Sequence, residues 1–435
     1  MEEYSHNFDA IVVGAGPAGS MAAWKLATEG FHVALLERGR QPGEKNLFGG
    51  MIYSLELQKH FPGFFNDAPI ERAVTRHATH LIDGKRSLNF DFSSDYLAEP
   101  PYNGFTAYRS RFDNWLARQA VNAGAVLIPS TVVDALIIEG DWVRGVVTRR
   151  KEGDLRASVT ICADGVLSLL GRQAGLVPEP DKAHYSLGVR EIIALPAGVI
   201  EDRFQIPRNG GCAALFAGNW NNGLKGGGFI YTYQDTLSVG FVAQMPSLVQ
   251  QEQHISEILD AFKKESAVQR LISGGERLEY GAHVVPEGGW NMRHGKVKNG
   301  LMLAGDAAGL VLTAGVIYEG VHYAMHSGVL AAETAVEALR AGDTSRGRLK
   351  AYETALNRSY VIKNLKAFKG MPHMLTNPRL YKEYPEAMTR IMEGLFIAES
   401  QGHLKGLALI KKHLLSRVGL LTLIRDGWQM IRNLL

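Results

Sequence analysis

The pattern of hydrophobic positions over residues 9–38 changes its period twice. Residues 11–13 form a continuous β-branched run, which indicates a buried strand. A glycine-rich turn and an alanine-rich segment of helical character follow, and a second apolar run over Val33–Leu36 ends at Glu37. A strand, a turn, a helix and a second strand in this order predict one βαβ unit.

The glycines of the turn, in the sequence VGAGPAG, are typical of a nucleotide-binding βαβ unit. Gly14 permits the tight turn, Gly16 lets a pyrophosphate approach the backbone, and Gly19 lets the helix pack against the strand. The start of the helix presents free N–H groups to that anion, and Glu37 lies where a carboxylate can accept hydrogen bonds from both ribose hydroxyls. Glycines that merely shape a turn are the alternative, which the flanking strands and Glu37 disfavour.

Two later strands end in small and acidic residues of the same kind. One leads into Ala-Asp-Gly at residues 163–165, and the other leads into Gly305 and Asp306. We expect Asp306 to accept hydrogen bonds from ribityl hydroxyls, and the helix predicted around 320–338 to stabilise negative charge on a reduced flavin at its N-terminus. A plain turn between strand and helix is the alternative.

Two further segments are predicted to contact the same ligand. The turn-rich residues 41–50 leave the carboxyl end of the second strand, where open α/β sheets bind ligands. This loop and Lys45 are expected to lie along a flavin, unless the segment is a plain surface loop. Arg109 is expected to precede a helix capped by Ser110 and to reach a pyrophosphate or ribityl oxygen, although a surface arginine capping a strand is nearly as common.

Alternating apolar and polar positions over about 51–101, and again from 185 to about 243, indicate strands of a second domain. Within it, residues 224–233 (LKGGGFIYTY) contain three consecutive glycines. Glycines inside a strand are costly unless something flat lies against the backbone. The sequence therefore predicts a ligand beside this strand, with a bulge or loop that binds nothing as the alternative.

Composition excludes several classes of protein. The formal net charge is only +3 and no basic stripe is present, so nucleic-acid binding is not expected. Cys162 and Cys212 are too few for zinc or an iron–sulfur cluster, and we expect both to be reduced and inert. No apolar run approaches the roughly 20 residues needed to span a bilayer. With no export signal expected either, the chain is predicted to be cytoplasmic.

The combined motifs resemble a known group of flavoproteins. The sequences VGAGPAG with Glu37, CADG, AGDAAG and the Arg109 segment RSRFDNWL look like the FAD-binding fold shared by p-hydroxybenzoate hydroxylase, geranylgeranyl reductases and electron-transfer flavoprotein:quinone oxidoreductases. Within that group the chain most resembles the bacterial FixC type of the last. This resemblance extends over nearly the whole chain through RGRQPGEKNLFGG, VIEDRFQ, LFAG, LKGGGFIYTYQDTLSVGFV, GAHVVPEGG and NPRLYKEYP.

The resemblance implies an α/β fold with three parts. These are a Rossmann-like FAD-binding domain of the p-hydroxybenzoate hydroxylase type, an inserted mixed-sheet domain for the substrate or quinone, and a helical C-terminal region. The expected FAD-binding domain comprises residues 1–60, 102–184 and 281–340, the inserted domain comprises 61–101 and 185–280, and the helical region comprises 341–435.

The resemblance also implies the cofactor and its contacts. FAD binds in an extended form, and the strand with three glycines lies beside a quinone pocket near the flavin ring. The residues expected to bind FAD are Gly14, Ala15, Gly16, Pro17, Ala18, Gly19, Glu37, Arg38, Lys45, Gly50, Arg109, Val133, Ala163, Asp164, Gly165, Gly305, Asp306 and Gly315. Those expected to bind the quinone are Gly226, Gly227, Gly228, Phe229 and Tyr231.

The implied activity is electron transfer. FAD accepts electrons from a two-subunit electron-transfer flavoprotein, directly or through a small ferredoxin-like iron–sulfur subunit, and reduces a membrane quinone. Whether such a complex also bifurcates electrons is left open. Protons reach the quinone through water, Tyr231 or His283, although a structural histidine is the commoner role for His283. The alternatives are a reductase of isoprenoid double bonds of the geranylgeranyl type and a relay or assembly subunit with structural FAD.

Two departures from the family pattern matter. No cysteine follows Cys212, so this chain cannot hold the [4Fe–4S] cluster of the mitochondrial-type enzymes, and we infer that a partner supplies the iron–sulfur group. Residues 312–319 lack the Asn and Arg that the family pattern often carries at the flavin ring.

The tail over 403–435 alternates apolar and basic residues at helical spacing, which suits a helix on anionic lipid at the inner face of the cell membrane. A helix packed on its own core or on a partner is equally compatible with this pattern.

Overall fold

The computed structural model describes residues 7–47, 50–221, 223–252, 254–315, 317–398 and 405–434. Two large β-sheets, with α-helices packed on both, and a helical C-terminal region form this part of the chain. The predicted loop at 41–50, the 312–319 stretch and the tail each include residues outside these ranges, namely 48–49, 316, 403–404 and 435.

The strands carry the framework of both sheets. In chain order they are β1 (Asn7–Val13), β2 (Val33–Leu36), β3 (Met51–Tyr53), β4 (Arg72–Asp83), β5 (Arg86–Ser93), β6 (Gly104–Thr106), β7 (Val126–Ile128), β8 (Val133–Glu139), β9 (Trp142–Thr148), β10 (Leu155–Cys162), β11 (Tyr185–Ala194), β12 (Gly210–Gly218), β13 (Gly226–Thr232), β14 (Thr236–Gln244), β15 (Glu276–Pro286), β16 (Val297–Lys298), β17 (Leu301–Leu303), β18 (Leu312–Thr313) and β19 (Tyr318–Glu319).

The α-helices pack on both sheets and build the C-terminal region. In chain order they are α1 (Pro17–Thr28), α2 (Leu55–His60), α3 (Arg109–Asn122), α4 (Leu169–Gln173), α5 (Ala197–Phe204), α6 (Met245–Gln251), α7 (Ile255–Lys264), α8 (Ser266–Ile272), α9 (Val321–Arg340), α10 (Arg346–Arg358), α11 (Tyr360–Ala367), α12 (Met371–Met374), α13 (Glu383–Phe396), α14 (Gly406–Ile410), α15 (Ser416–Val418) and α16 (Leu420–Leu434).

The first sheet has the strand order β16-β17-β10-β1-β2-β7, and β17, β10, β1, β2 and β7 run parallel. Its central strands are buried on both faces, which explains their continuous β-branched and aliphatic sequences. Helices α1 and α9 pack closely against each other because α9 has small residues. A Cβ atom on Gly328 would lie only 2.1 Å from the Ala18 carbonyl oxygen.

The second sheet has the order β15-β11-β14-β13-β12-β4-β6-β3, with β5 paired to β4. It is mixed, because β12 and β4 run parallel while the neighbouring pairs are antiparallel. A separate hydrophobic core lies on this sheet under α5, α7 and α8. The strand that contains the three glycines, β13, lies between β12 and β14.

The pairing of strands bears on the predicted domain limits. Strands β3 and β6 belong to the second sheet, although their residues were assigned to the FAD-binding domain. The expected limit between residues 280 and 281 falls inside β15, which is continuous from Glu276 to Pro286. By strand pairing, β3, β6 and the whole of β15 belong to the second sheet, while the division into domains stays a prediction.

Two local predictions require correction. Ser110 does not cap a helix, because α3 begins at Arg109, the preceding residue is Tyr108, and the Tyr108 side chain makes no capping hydrogen bond. The tail is divided into α14, a π-helical turn (Lys411–Leu415), α15 and α16, since Gly419 adopts a φ of +75° between the last two. A continuous amphipathic face is therefore confined to α16.

Candidate functional site

The carboxyl ends of three parallel strands meet at one edge of the first sheet. The register pairs Val13 at the end of β1 with Cys162 at the end of β10, and Cys162 with Leu303 at the end of β17. The glycine turn, the Ala-Asp-Gly turn and the 3₁₀ turn Gly305–Ala308 therefore lie side by side. Open α/β sheets bind ligands at this edge.

Close backbone contacts shape the glycine turn. Gly14 has a φ of +99°, and a Cβ atom there would lie 2.4 Å from the Ala163 carbonyl oxygen. A Cβ atom on Gly19 would lie 1.8 Å from the Gly14 carbonyl oxygen, so α1 and the turn require glycine at this position. Gly16 is less crowded, because a Cβ atom there would meet only the ends of the Asn46 and Arg109 side chains, at 3.9 and 4.0 Å. An anion can thus approach the backbone at the start of α1.

Glu37 is buried at the end of β2 and is oriented by two backbone contacts. Its Oε2 accepts a hydrogen bond from the Ala15 N–H at 3.1 Å, and its Oε1 accepts one from the Gly39 N–H at 2.7 Å. The carboxylate also borders the cavity at this edge of the sheet. Since each carboxylate oxygen can accept more than one hydrogen bond, Glu37 keeps capacity for ribose hydroxyls.

One cavity of about 800 Å³ is lined by residues of both sheets, and its volume is within the range of small-molecule sites. Ala15 and Gly19 lie behind its wall, in the turn and helix that shape it. The predicted FAD residues that line the cavity are Gly14, Gly16, Pro17, Ala18, Glu37, Arg38, Lys45, Gly50, Arg109, Val133, Ala163, Asp164, Gly165, Gly305, Asp306 and Gly315. The predicted quinone residues Gly226, Gly227, Gly228, Phe229 and Tyr231 line it as well.

Arg109 is a largely buried residue of the cavity wall, with 14% of its side chain exposed, rather than a surface arginine. Its Nε and Nη2 atoms donate to Asp113 Oδ1 and Oδ2 at 2.7 and 2.8 Å. Asp113 is fully buried, one turn further along α3. This pair fixes the direction of the guanidinium beside Gly16, where an anionic ligand would approach.

Two buried carboxyl groups lie at the strand ends. Burial raises the pKa of Asp306, and the nearby Arg109 partly opposes this shift. Burial also raises the pKa of Asp164, while the backbone N–H of Leu170 acts in the opposite direction. Asp164 Oδ1 has no hydrogen-bond partner among the described residues, although it is buried. An unpartnered oxygen in the wall of a cavity fits a ligand that donates a hydrogen bond.

Strand β13 pairs in regular antiparallel register with both neighbours, so its glycines do not mark a bulge. Packing accounts for two of them. A Cβ atom on Gly226 would lie 2.2 Å from the Val242 carbonyl oxygen, and one on Gly228 would lie 2.4 Å from the Phe262 ring. Gly227 has more room, since the nearest atom would be the Phe216 carbonyl oxygen at 3.2 Å. The exposed backbone at Gly227 forms part of the cavity wall.

The proton-exchanging groups proposed from the sequence also border the cavity. Burial lowers the pKa of His283, and Arg109 and Arg38 lower it further. Burial raises the pKa of Tyr231. The sequence analysis missed a further pair of titratable residues on this wall, in which the Tyr318 hydroxyl donates a hydrogen bond to Glu287 Oε1 at 3.0 Å. Burial raises the pKa of both members of that pair.

Other lining residues were also missed. Glu319 ends β19 and His322 lies in the first turn of α9. Their only signal in the sequence is the spacing of His322 and His326 on one helical face. Met371, Met374 and Met430 line the cavity from α12 and α16. Nothing in the sequence pattern indicates that these methionines, which lie far apart in the chain, share one wall.

The residues present fit FAD. The glycine turn and the start of α1 suit a pyrophosphate, Glu37 suits an adenosine ribose, and the unpartnered Asp164 oxygen suits a hydroxyl donor. The largely apolar remainder, which reaches β13, suits a flat ring system.

Comparisons with known proteins agree with this interpretation. Residues 7–206 match a family model described as an FAD binding domain, and residues 371–435 match one described as the ETF-QO/FixC family C-terminal domain. The Escherichia coli (strain K12) protein YdiS, named "probable electron transfer flavoprotein-quinone oxidoreductase", is 41% identical over 97% of this chain and 97% of its own length. Protein FixC of Salmonella typhi is 39% identical over the same shares of both chains.

Solved structures show the same fold at low sequence identity. A geranylgeranyl bacteriochlorophyll reductase-like protein from Thermoplasma acidophilum aligns with a TM-score of 0.72 at 20% identity, over 94% of this chain and 96% of that one. The myxobacterial halogenase CndH aligns with a TM-score of 0.65 at 23% identity, over 84% and 83%. Both comparisons support the flavoprotein fold expected from the sequence.

The fold and the site define an FAD-dependent oxidoreductase that acts in electron transfer. More specifically, the chain belongs to the ETF-QO/FixC family, as its resemblance to the FixC type predicted. Its cofactor is FAD.

Three further observations concern the cysteines, metal binding and membrane spanning in the part of the chain that the structure describes. Cys162 and Cys212 are free and buried, and burial raises the pKa of both thiols. No cluster of three or more His, Cys, Asp or Glu residues is arranged to hold a metal ion in that part of the chain. None of the helices described there is both long and apolar enough to cross a bilayer.

Proposed function

We propose that this chain accepts electrons from an electron-transfer flavoprotein on its FAD and passes them to a membrane quinone. The observation that supports this most is the continuity of one cavity. The same space borders the FAD residues at the strand ends and the strand β13 with its three glycines. When bound, FAD supplies the redox chemistry, and the protein supplies position and electrostatics.

The proposed quinone subsite lies at the β13 end of the cavity. Gly227 lines the cavity there without a side chain, and Phe229 and Tyr231 follow on the same face of the strand because side chains alternate along it. Met371, Met374 and Leu375 offer apolar side chains from α12 and the residue that follows it. A flat apolar headgroup with carbonyl oxygens suits this mixture of apolar surface and nearby hydroxyl groups.

The structure of α16 supports a membrane-facing entrance. Leu421, Ile424 and Trp428 are exposed on α16, while Arg425 and Arg432 occupy other positions around it. In the same helix, Met430 lines the cavity. We infer that the chain is a cytoplasmic protein whose α16 lies on the inner face of the cell membrane, so that a quinone enters beside this helix.

The partner proteins are proposed from family membership. The electron-transfer flavoprotein would have two subunits, and a small ferredoxin-like subunit would supply the iron–sulfur group that the cysteine content of this chain excludes. The proposal includes a complex in which these subunits together also bifurcate electrons.

Anaerobic stopped-flow absorbance tests the donor side. The purified FAD protein is mixed with reduced electron-transfer flavoprotein, with and without the ferredoxin-like partner. We expect the flavin to bleach on mixing, and the comparison shows whether the partner is obligatory. A flavin that stays oxidised with both proteins present contradicts the proposal. Saturation of a geranylgeranyl substrate without an added flavoprotein would then favour the isoprenoid reductase alternative.

A further inference from the structure

A cluster of buried titratable side chains lies behind the cavity, between α2, α9 and α11. Glu56 Oε1 lies 3.1 Å from His326 Nδ1 and accepts a hydrogen bond from the Tyr360 hydroxyl at 3.2 Å. Glu56 Oε2 lies 3.3 Å from His60 Nε2. We call these four residues the outer group. The Glu56 side chain is only 2% exposed. The His60 side chain is 12% exposed, and because its Nε2 atom is buried beside Glu56, the rest of the ring provides the contact with solvent.

A second cluster borders the cavity at the start of α9. Glu319 Oε2 lies 3.4 Å from His322 Nε2, and both residues line the cavity. Tyr323 shares a hydrogen bond with Glu319, and its hydroxyl accepts one from Asn364 Nδ2 at 2.8 Å. We call Glu319, His322 and Tyr323 the inner group.

The two groups meet on α9 and α11. The Tyr360 ring lies parallel to the His322 ring, with an interplanar angle of 3° and 6.0 Å between centroids, and it lies 5.7 Å from the Tyr323 ring. His322 and His326 are four residues apart on one helix, so their side chains lie on the same face. The Tyr360 hydroxyl of the outer group also lies 3.5 Å from the His322 carbonyl oxygen, which brings the two groups into direct contact.

The charges in the two groups suit proton exchange. Burial alone raises the pKa of Glu56, but the contacts with His326 and His60 outweigh it and lower the pKa to about 2. Likewise, His322 and Tyr323 lower the pKa of Glu319 against the effect of burial. Burial raises the pKa of Tyr360 and Tyr323, so both hydroxyls remain able to donate and accept. Ionised carboxylates therefore alternate with imidazoles and phenols, the groups that proteins use to move protons near neutral pH.

We propose that the outer and inner groups carry protons from the protein surface at His60 to the quinone end of the cavity. This inference rests on the proposed function. Reduction of a quinone forms two O–H bonds at its carbonyl oxygens. The two electrons come from the reduced flavin, and over a full turnover both protons come from water because the donor protein delivers electrons. The relay supplies these protons at Glu319 and His322.

Other charged groups face the relay and enter its pH dependence. Lys59 acts on Glu56 from α2, and Tyr53 faces Glu319 and the His322 ring from β3. On the cavity side, the Glu287–Tyr318 pair lines the same wall. A change in the charge of any of these groups would shift the pH dependence of quinone reduction, so the variants in the test leave all of them unchanged.

The test follows reoxidation of the photoreduced FAD protein by a short-chain soluble quinone, in H₂O and D₂O, from about pH 6 to about pH 9, while an indicator dye reports proton uptake. We expect Glu56→Gln to slow reoxidation by quinone about tenfold or more and to steepen its pH dependence. Reoxidation by ferricenium, which takes an electron and no proton, should stay within about twofold of wild type because it needs no delivered proton. His326→Gln should behave likewise and replaces Glu56→Gln if that variant does not fold.

His32→Gln is the control, since this exposed histidine stacks on Phe8 just before β2, at the opposite end of that strand from the cavity, and lies outside both groups. It should match wild type with both acceptors. The relay is refuted if Glu56→Gln and His326→Gln both match wild type with quinone. It is also refuted if these variants slow reoxidation by quinone and by ferricenium equally. Failure of wild-type flavin to react with quinone at all refutes the proposed function instead.

A readout without turnover uses infrared titration of the resting oxidised protein. The carboxylate band that Glu56→Gln removes should persist in the wild type down to about pH 5, because the relay needs this carboxylate ionised. A band already absent at neutral pH contradicts the relay.

Discussion

Asn46 and Asp113 are joined by a hydrogen bond of 2.9 Å from the Asn46 side-chain amide to Asp113 Oδ2, although 67 positions separate them in the chain. The contact holds the loop after β2 against α3. Because Asp113 also binds Arg109, one buried carboxylate positions both the loop and the guanidinium beside the cavity.

Asp113→Ala should therefore destabilise the protein. It removes the fully buried carboxylate that pairs with Arg109, whose side chain is only 14% exposed, and removal of one member of a buried ion pair costs about 3 kcal/mol. Chemical denaturation followed by far-UV circular dichroism measures the loss, and FAD content should fall as well. Asp134→Ala is the control, since the Asp134–Arg149 pair is exposed and its loss should change the unfolding free energy much less. Equal losses in the two variants would contradict the role given to Asp113.

Glu37→Gln should weaken FAD binding about tenfold, because a neutral amide replaces an ionised acceptor beside the glycine turn. The dissociation constant of FAD from the refolded or stripped protein, measured by flavin fluorescence, tests this. Glu29→Gln on the outer end of α1 provides the comparison and should leave FAD affinity unchanged. Unaltered affinity in Glu37→Gln would mean that Glu37 only shapes the turn.

Substitutions at two glycines of β13 distinguish an effect on packing from an effect on ligand binding. Gly226→Ala places its methyl group against the Val242 carbonyl oxygen and should cost about 2 kcal/mol or more of stability. Gly227→Ala brings its methyl group to 3.2 Å from the Phe216 carbonyl oxygen, a tight contact but a milder one than at Gly226, so the loss of stability should be smaller than in Gly226→Ala and FAD should still bind. Its methyl group narrows the proposed quinone subsite and should raise the KM for quinone about tenfold. An unchanged KM in Gly227→Ala would place the quinone elsewhere.

The stability contributed by Glu56 should depend on pH in a defined window. Its pKa is lowered to about 2 in the folded state, from an ordinary value of 4.5. Such a carboxylate contributes stability above about pH 4.5, and this contribution is lost as the pH falls toward about 2. The difference in unfolding free energy between wild type and Glu56→Gln should therefore shrink across that interval. Glu257→Gln, at an exposed position of α7, should show no such trend.

Much of the first domain could be predicted because its signals are local. The run Val33–Leu36 is buried and β-branched or aliphatic throughout, and the observed strand has the same limits. The sequence could not reveal contacts that depend on tertiary packing. Glu56 and His326 are 270 residues apart, and Met430 reaches the cavity only because α16 packs near α12. The three glycines of β13 lie in a strand that lines the cavity, but only the packing shows that Gly226 and Gly228 have structural reasons to be glycine.

Membrane contact through α16 is tested with liposomes that contain anionic lipid. The double variant Leu421→Glu and Trp428→Glu places charges on the exposed apolar face, so co-sedimentation should fall about tenfold. A control carries Val249→Glu and Leu278→Glu, which lie at exposed apolar positions elsewhere, and it should bind like wild type. Equal binding of liposomes by all three proteins would show that the exposed face of α16 does not contact the membrane.

The most direct test of electron transfer to quinone is anaerobic rapid mixing of the photoreduced FAD protein with a soluble quinone, followed at the absorbance of oxidised flavin. The account predicts that flavin absorbance returns on mixing, at a rate that saturates with quinone concentration as a binding site requires, and that Gly227→Ala shifts this saturation to higher concentration. A flavin that stays reduced, or a rate that rises linearly without saturation and is the same in Gly227→Ala, would contradict a quinone site in this cavity.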